Sequence, residues 1–302
     1  MVTVLAGGTG GAKLARGMLD VVGPEELCVV ANTADDVEVY GVHVSPDPDL
    51  VALWLADLID ERGYGVRGDT WEVMAALAEA GRETWFRLGD RDLALCLVWT
   101  ELLRAGRRLT EAHAAVLEGL GTRARVLPMS DDPVRTHVRA GGRWWPFQEF
   151  MIVAGARPAV EEVDLRGVAQ ALPSPEVLEA LVQSEAIVIG PSNPVISIGP
   201  ILALPGMRQA IADAGAPTVA VSPFVAGRAV KGPTEAFCAQ AGIAATAQGV
   251  AGAYADVIDG LVADEPVTGV AALELDTLMD TAKARRTVAA ATLDFARGLV
   301  RR

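Results

Sequence analysis

The chain has 302 residues, 51% of them hydrophobic, and a formal net charge of −13. That length and apolar content support a sizeable core and exclude a disordered chain, while the acidic balance disfavours nucleic acid or an anionic membrane as partner. The three cysteines, Cys28, Cys96 and Cys238, are far apart in apolar stretches; they read as reduced thiols, and with no basic leader at "MVTVLAGG" the expectation is a soluble cytoplasmic protein.

The first element is a short strand, Val2–Ala6, running into "GGTGGAKLARG" and a helix expected over Leu14–Val22. Glycines permit close backbone approach, and a helix start offers free N–H groups to an anion. Gly8, Thr9, Gly10 and Gly11 are therefore candidate phosphate ligands. The dinucleotide fingerprint G-x-G-x-x-G fails at its last glycine, and no acidic residue directly follows the second strand. Walker A fails because Ala12 precedes Lys13 and no Ser or Thr follows it. Hydride transfer and P-loop ATPase chemistry are both demoted.

The second strand, Leu27–Ala31, ends in "ANTADD", which supplies Asn32, Thr33, Asp35 and Asp36. "PDPDLVALWLADLID" reads as a helix with Asp47 as N-cap and Pro48 as its first residue. Asp35, Asp36, Asp47 and Asp49 form a carboxylate group of the hard-oxygen kind that suits Mg²⁺ together with substrate phosphates; Asp36 and Asp49 are the favoured pair. In "DTWEVMAALAEAG", Asp69 and Glu72 have capping-box spacing and Gly81 is a stop. "RLGDRDLAL" places Arg87 and Arg91 before a helix that Asp92 can cap. In "LPMSDDPV", Ser130 and Asp131 end a strand in a turn. His43, His113 and His137 have no cysteine or carboxylate at ligand spacing, and no catalytic triad assembles.

Two further buried strands, Ala186–Gly190 and Thr218–Val221, follow helices over Pro175–Gln183 and Pro205–Ala214. The third strand leads into "GPSNPVISIGP", with Ser192, Asn193 and Ser197, and the fourth into "SPFVAGRAVKGP", with Ser222, Arg228 and Lys231. In an open α/β sheet such clusters meet beyond the carboxyl ends of the strands, so all four are expected to face one crevice. The predicted fold is a Rossmann-like, doubly wound, mainly parallel α/β sheet in three layers. It is expected to form a single domain with its core over 1–45 and 175–265, a large, mostly helical insertion over 46–174, and a C-terminal helix over 276–301.

In order, "GGTGGAKL", "ANTADD", "PDPD", "LGDRDLA", "LPMSDDPV", "FQEF", "GPSNPVISIGPIL" and "SPFVAGRAVKGP" resemble the 2-phospho-L-lactate transferase family of coenzyme F420 biosynthesis, from residue 1 to about residue 265. The resemblance implies a Mg²⁺-dependent transfer of a phospho-lactyl or phosphoenolpyruvyl group from lactyl- or enolpyruvyl-diphosphoguanosine to the ribityl hydroxyl of the deazaflavin Fo, with release of GMP. It also implies a cytoplasmic homodimer, with the insertion forming the deazaflavin side. Carried onto matching positions, Asp49 (also the candidate catalytic group), Arg87, Arg91, Ser130 and Asp131 meet Fo. Gly8 to Gly11, Asn32, Ser192, Asn193, Ser197 and Lys231 line the nucleotide and phosphate side, and Asp36 with Asp49 holds the metal. The chain departs from the family pattern around "PDPD", where Ser45 stands in place of the usual cysteine. The alternative from another class is a non-enzymatic regulator of the same superfamily that binds uridine-diphosphosugars.

Overall fold

A computed structural model describes residues 1–230 and 232–299. β1 (Val2–Ala6) feeds α1 (Gly8–Val22), and a single 3-10 turn leads into β2 (Leu27–Ala31). A hairpin of β3 (Val37–Val39) and β4 (Val42–Val44) precedes four helices, α2 (Pro46–Leu55), α3 (Glu72–Glu79), α4 (Asp90–Arg104) and α5 (Leu109–Gly119). β5 (Arg125–Pro128) is followed by β6 (Arg135–Ala140), β7 (Arg143–Pro146), α6 (Phe147–Ile152) and β8 (Val160–Arg166). α7 (Pro175–Val182), β9 (Ala186–Ile189), α8 (Ile198–Ala203), α9 (Met207–Asp213) and β10 (Thr218–Val221) come next. A small β11 (Phe224–Val225) and β12 (Arg228–Ala229) hairpin leads to α10 (Thr234–Gln240) and α11 (Ala247–Ala253). β13 (Gly260–Ala263), β14 (Ala271–Glu274) and α12 (Ala282–Gly298) follow.

Seven strands form one sheet in the order β14-β13-β10-β9-β1-β2-β5, and every pairing within it is parallel. A parallel strand covered on both faces must be apolar at every position, and β1, β2, β9 and β10 are buried throughout. Alternate residues point to opposite faces. Val2, Val4, Val188 and Val221 pack with α1, α2 and α12, whereas Leu5, Val30, Ile187 and Ile189 pack with α7, α8, α9 and α11. The three-layer α/β architecture is the one expected.

The boundaries differ from the expected ones. β5 lies inside the stretch 46–174 and β14 lies beyond 265, yet both are strands of the central sheet. The remainder of 46–174 divides into the helices α2 to α5 and a three-stranded antiparallel sheet, β7-β6-β8. α1 begins at Gly8 and not at Leu14. α12 begins at Ala282, and the end of the helix expected to reach residue 301 lies outside the described residues.

The order places β1 beside β9, where the chain reverses direction of travel across the sheet. Loops leaving adjacent strands at such a switch point diverge and open a crevice. Here they are the glycine loop and the loop that carries Ser192 and Asn193.

Candidate functional site

The crevice is a cavity of about 800 Å³, lined by Gly8, Thr9 and Gly10, by Ser192, Asn193 and Ser197, by Asp35 and Asp47, and by Ser222 and Pro223. All four polar clusters expected at strand ends contribute to it. A second cavity of about 210 Å³ is lined by Asp49, Asp69 and Asp92 and by the aromatic side chains of Tyr64, Trp71 and Phe86. Asp47 and Arg62 line both.

The glycine loop is built for close packing. Gly8 has φ +68°, a backbone that favours glycine. A Cβ on Gly10 would collide with the carbonyl oxygen of Pro191, and one on Gly11 would come within 2.8 Å of Ala6 and of Ser192 Oγ. The amides that the sequence offers to a phosphate are in part engaged by protein oxygens. The N–H of Gly8 donates to Asp47 Oδ1 (2.6 Å), and those of Gly7 and Gly11 donate to Ser192 Oγ (3.4 and 3.1 Å). Asp47 therefore sits at the positive end of α1, where the helix dipole favours an anion. Lys13 pairs with Asp280 (3.3 Å) at the cavity wall.

Asp47 reaches this position because it does not cap its own helix. The N-cap of α2 is Ser45 and its first residue is Pro46, two residues earlier than expected. Asn32, expected on the nucleotide side, lines neither cavity. Its Nδ2 donates to Asp35 Oδ1 and to Asp47 Oδ2, each at 3.1 Å, so one amide group draws two carboxylates together. Burial and the neighbouring Asp47 and Asp36 charges push the Asp35 carboxyl well above the usual range, and burial likewise raises Asp47. Desolvation disfavours the charged form, and like charges add to it.

Asp36, an expected metal ligand, lines neither cavity. The β3–β4 hairpin folds back over it, so that Oδ1 accepts from Ser45 Oγ (2.8 Å) and Oδ2 lies 3.3 Å from Nε2 of His43. The carboxylate neighbour that His43 lacks in sequence is thus supplied by the hairpin. Asp49 points into the smaller cavity instead, where its Oδ1 accepts from Trp99 Nε1 at 2.8 Å. Burial, then the Asp92 charge, holds its pKa well above the ordinary value. Trp99 is itself stacked on buried His113 at 4.9 Å. Among the described residues no group of three His, Cys, Asp or Glu side chains is close enough to hold a metal unaided.

The residues carried over to the Fo side are not all brought together. Arg87 and Arg91 are exposed and line neither cavity; Arg87 stacks over Trp71 at 4.8 Å. Ser130 Oγ donates to the Leu172 carbonyl (2.6 Å) and accepts the N–H of Asp132. Asp131 pairs with Arg108 (2.8 Å) and accepts from the Thr110 amide. These two tie the end of β5 to the start of α5 and to the segment before α7, and neither lines a cavity. Lys231 lies outside the described residues.

Sequence reading missed the far wall of the larger cavity. It is made by Trp54 of α2, by Arg62 and Gly63, and by Thr277 to Asp280 just before α12. Trp54 Nε1, Asn193 Nδ2 and Thr277 Oγ1 are buried there without a hydrogen-bond partner. Buried polar groups are ordinarily paired, so three unpaired groups in one cavity lining suit a polar ligand. The orphans are visible only once the chain has folded, because nothing in Trp54 or Thr277 marks them in sequence.

Comparison with known proteins identifies the family. The family model described as 2-phospho-L-lactate transferase CofD matches residues 2–288. A protein named phosphoenolpyruvate transferase from Kitasatospora aureofaciens is 43% identical over 271 residues, covering 87% of this chain and 84% of that protein. A protein named 2-phospho-L-lactate transferase from Methanosarcina mazei is 41% identical over 263 residues, covering 87% of this chain and 86% of its own. A solved structure of a UPF0052-family protein from Bacillus halodurans superposes with a TM-score of 0.62 at 19% identity, covering 97% of this chain and 98% of that one, a likeness of fold alone. With a family model spanning nearly the whole sequence and relatives above 40% identity, the chain is an enzyme of the 2-phospho-L-lactate transferase CofD family.

Proposed function

We propose that the protein transfers a phospho-lactyl or phosphoenolpyruvyl group from a guanosine-diphosphate-linked donor to the ribityl hydroxyl of the deazaflavin Fo, releasing GMP, as a step of coenzyme F420 biosynthesis. The observation that carries this reading is the pair of cavities that share Asp47 and Arg62 at their border. The larger one has the size and the helix-start chemistry for a nucleoside diphosphate derivative. The smaller one is walled by Tyr64, Trp71 and Phe86, which suit a flat aromatic ring system, and has a buried carboxylate, Asp49, inside it. Family membership supports the same assignment.

Transfer makes an O–P bond from the ribityl oxygen to the phosphorus of the phospho-acid. It breaks the P–O bond to GMP, whose phosphate keeps the electron pair. Such chemistry needs positioning and charge neutralisation rather than a covalent nucleophile. Asp49 is the group we assign to orient the hydroxyl and receive its proton, since it is a buried carboxylate inside the smaller cavity, held there by Trp99. Trp99 fixes which oxygen of Asp49 remains for that task. Ser192 holds the glycine loop against the β9 loop, and Thr9, Asn193 and Ser197 border the space for the diphosphate.

The donor set fits Mg²⁺. Asp35 and Asp47 are hard oxygen donors drawn together by Asn32 and facing the cavity, and burial raises the pKa of both. We assign the metal to this pair in place of Asp36, with Asp49 nearby across the border. When bound, the ion would neutralise diphosphate charge.

The test is to incubate the protein with Fo, Mg²⁺ and each of the two diphosphoguanosine donors. GMP and a phosphodiester of Fo are expected from at least one donor. Absence of GMP with both donors, together with tight binding of a uridine-diphosphosugar, would establish the regulator reading instead. The homodimer expected from the family is checked by sedimentation of the same sample.

A further inference from the structure

Both cavities are strongly acidic. Asp35, Asp47, Asp60, Glu61 and Asp280 line the larger one, and Asp47, Asp49, Asp69 and Asp92 the smaller. A diphosphate donor adds further negative charge, and charge develops on the transferred group and on the leaving phosphate as the P–O bond breaks. Cations are scarce here. Among the described residues, Lys13 and Arg62 line the larger cavity, and Arg62 alone lines the smaller. Lys13 is held at the wall by Asp280.

Arg62 is placed differently. It sits in a tight loop between Asp60 and Gly65, closed by the Asp60 amide donating to the Gly65 carbonyl (3.1 Å) and the Gly63 amide to the Asp60 carbonyl (3.0 Å). Gly63 (φ +78°) and Gly65 (φ +82°) give the loop its sharp reversal. The guanidinium donates to Asp60 through Nε at 2.6 Å and through Nη2, lies 4.9 Å from the Tyr64 ring and 5.6 Å from the Trp71 ring, and its side chain is 48% exposed. Its tethers are the Asp60 carboxylate of its own loop, 12% exposed, and two aromatic faces, which orient a cation without adding a second charge. A planar fork so held can exchange the carboxylate of Asp60 for phosphoryl oxygens.

We propose that Arg62 is a catalytic residue of the transfer, contacting the phosphoryl group as it passes from the larger cavity to the smaller. The inference rests on the two-cavity transferase reading. The ribityl oxygen bonds to phosphorus, the bridging oxygen leaves with GMP, the hydroxyl proton goes to a carboxylate, and Arg62 stabilises the charge on the equatorial oxygens throughout. Its contribution belongs to the transition state, so its loss lowers kcat more than it weakens binding.

The experiment compares wild type with Arg62→Met and Arg62→Lys. Steady-state GMP release, the melting temperature and calorimetric binding of guanosine diphosphate with Mg²⁺ are measured for each. Expected are a fall in kcat of about 10²–10³-fold for Arg62→Met, partial recovery in Arg62→Lys, an unchanged melting temperature and a guanosine diphosphate Kd within about twofold. An Arg62→Met enzyme with wild-type kcat, or one whose only defect is a raised KM, would overturn the assignment of Arg62 alone. A wild-type protein that releases no GMP would overturn the transferase reading beneath it.

Discussion

At the scale of single residues, the site is defined by carboxylates that folding forces together. Asp92 illustrates the consequence. Its pKa is raised to about 6 by burial and then by the Asp69 charge. The folded protein therefore binds a proton on Asp92 in a window, from about 3.8 to about 6, where the unfolded chain does not. Stability from this group is fully present below the unfolded value and is lost as pH rises through the folded one. Asp92→Asn removes that loss, so the variant should melt at the same temperature as wild type near pH 4 and higher at pH 7.5. The gain is at most about 3 kcal/mol, read by thermal denaturation across that range. Residue identities of this kind were legible in the sequence, which shows Asp35, Asp36, Asp47 and Asp49 within fifteen positions. Their division of labour was not, because the rotation of Asp36 toward Ser45 and His43 depends on the β3–β4 hairpin.

At the scale of elements, local rules found most strands and helices but chose some ends wrongly. "SPDPDL" contains two equivalent cap-then-proline frames, Ser45–Pro46 and Asp47–Pro48, and propensity cannot decide between them. The fold selects the first, which frees Asp47 to bond Gly8. Asp69 has capping-box spacing to Glu72, yet its carboxylate accepts the amides of Arg91 and Asp92 at the start of α4, while Asp90 accepts those of Glu72 and Val73 at the start of α3. The two helices cap each other, a tertiary exchange invisible to spacing. The packing of α1 on α12 is equally non-local. A Cβ on Gly17 would lie 2.6 Å from the carbonyl carbon of Arg285. Gly17→Ala should therefore destabilise the protein by about 1–3 kcal/mol, although alanine favours an isolated helix. Chemical denaturation measures this, and a stabilised variant would show that α12 yields easily.

At the scale of the whole molecule, the alternation of strands and helices made the three-layer sheet readable, and the carboxyl-end rule correctly joined four distant clusters in one cavity. What escaped was membership of the sheet's edges. β5 has only four residues and ends at Pro128, and β14 is mostly exposed, so neither has the apolar run that marks β1 or β9. The wall formed by Thr277 to Asp280 escaped for a similar reason, since no motif announces a segment whose role comes from where α12 docks. No helix among the described residues is long and apolar enough to cross a membrane. The central claim is that the donor occupies the larger cavity while the acceptor hydroxyl meets Asp49 in the smaller. Its most direct test is Asp49→Asn, assayed for GMP release and, separately, for guanosine diphosphate affinity. The predicted result is loss of turnover with a guanosine diphosphate Kd within about twofold of wild type. Retained turnover, or nucleotide binding lost with it, would contradict the division of the site.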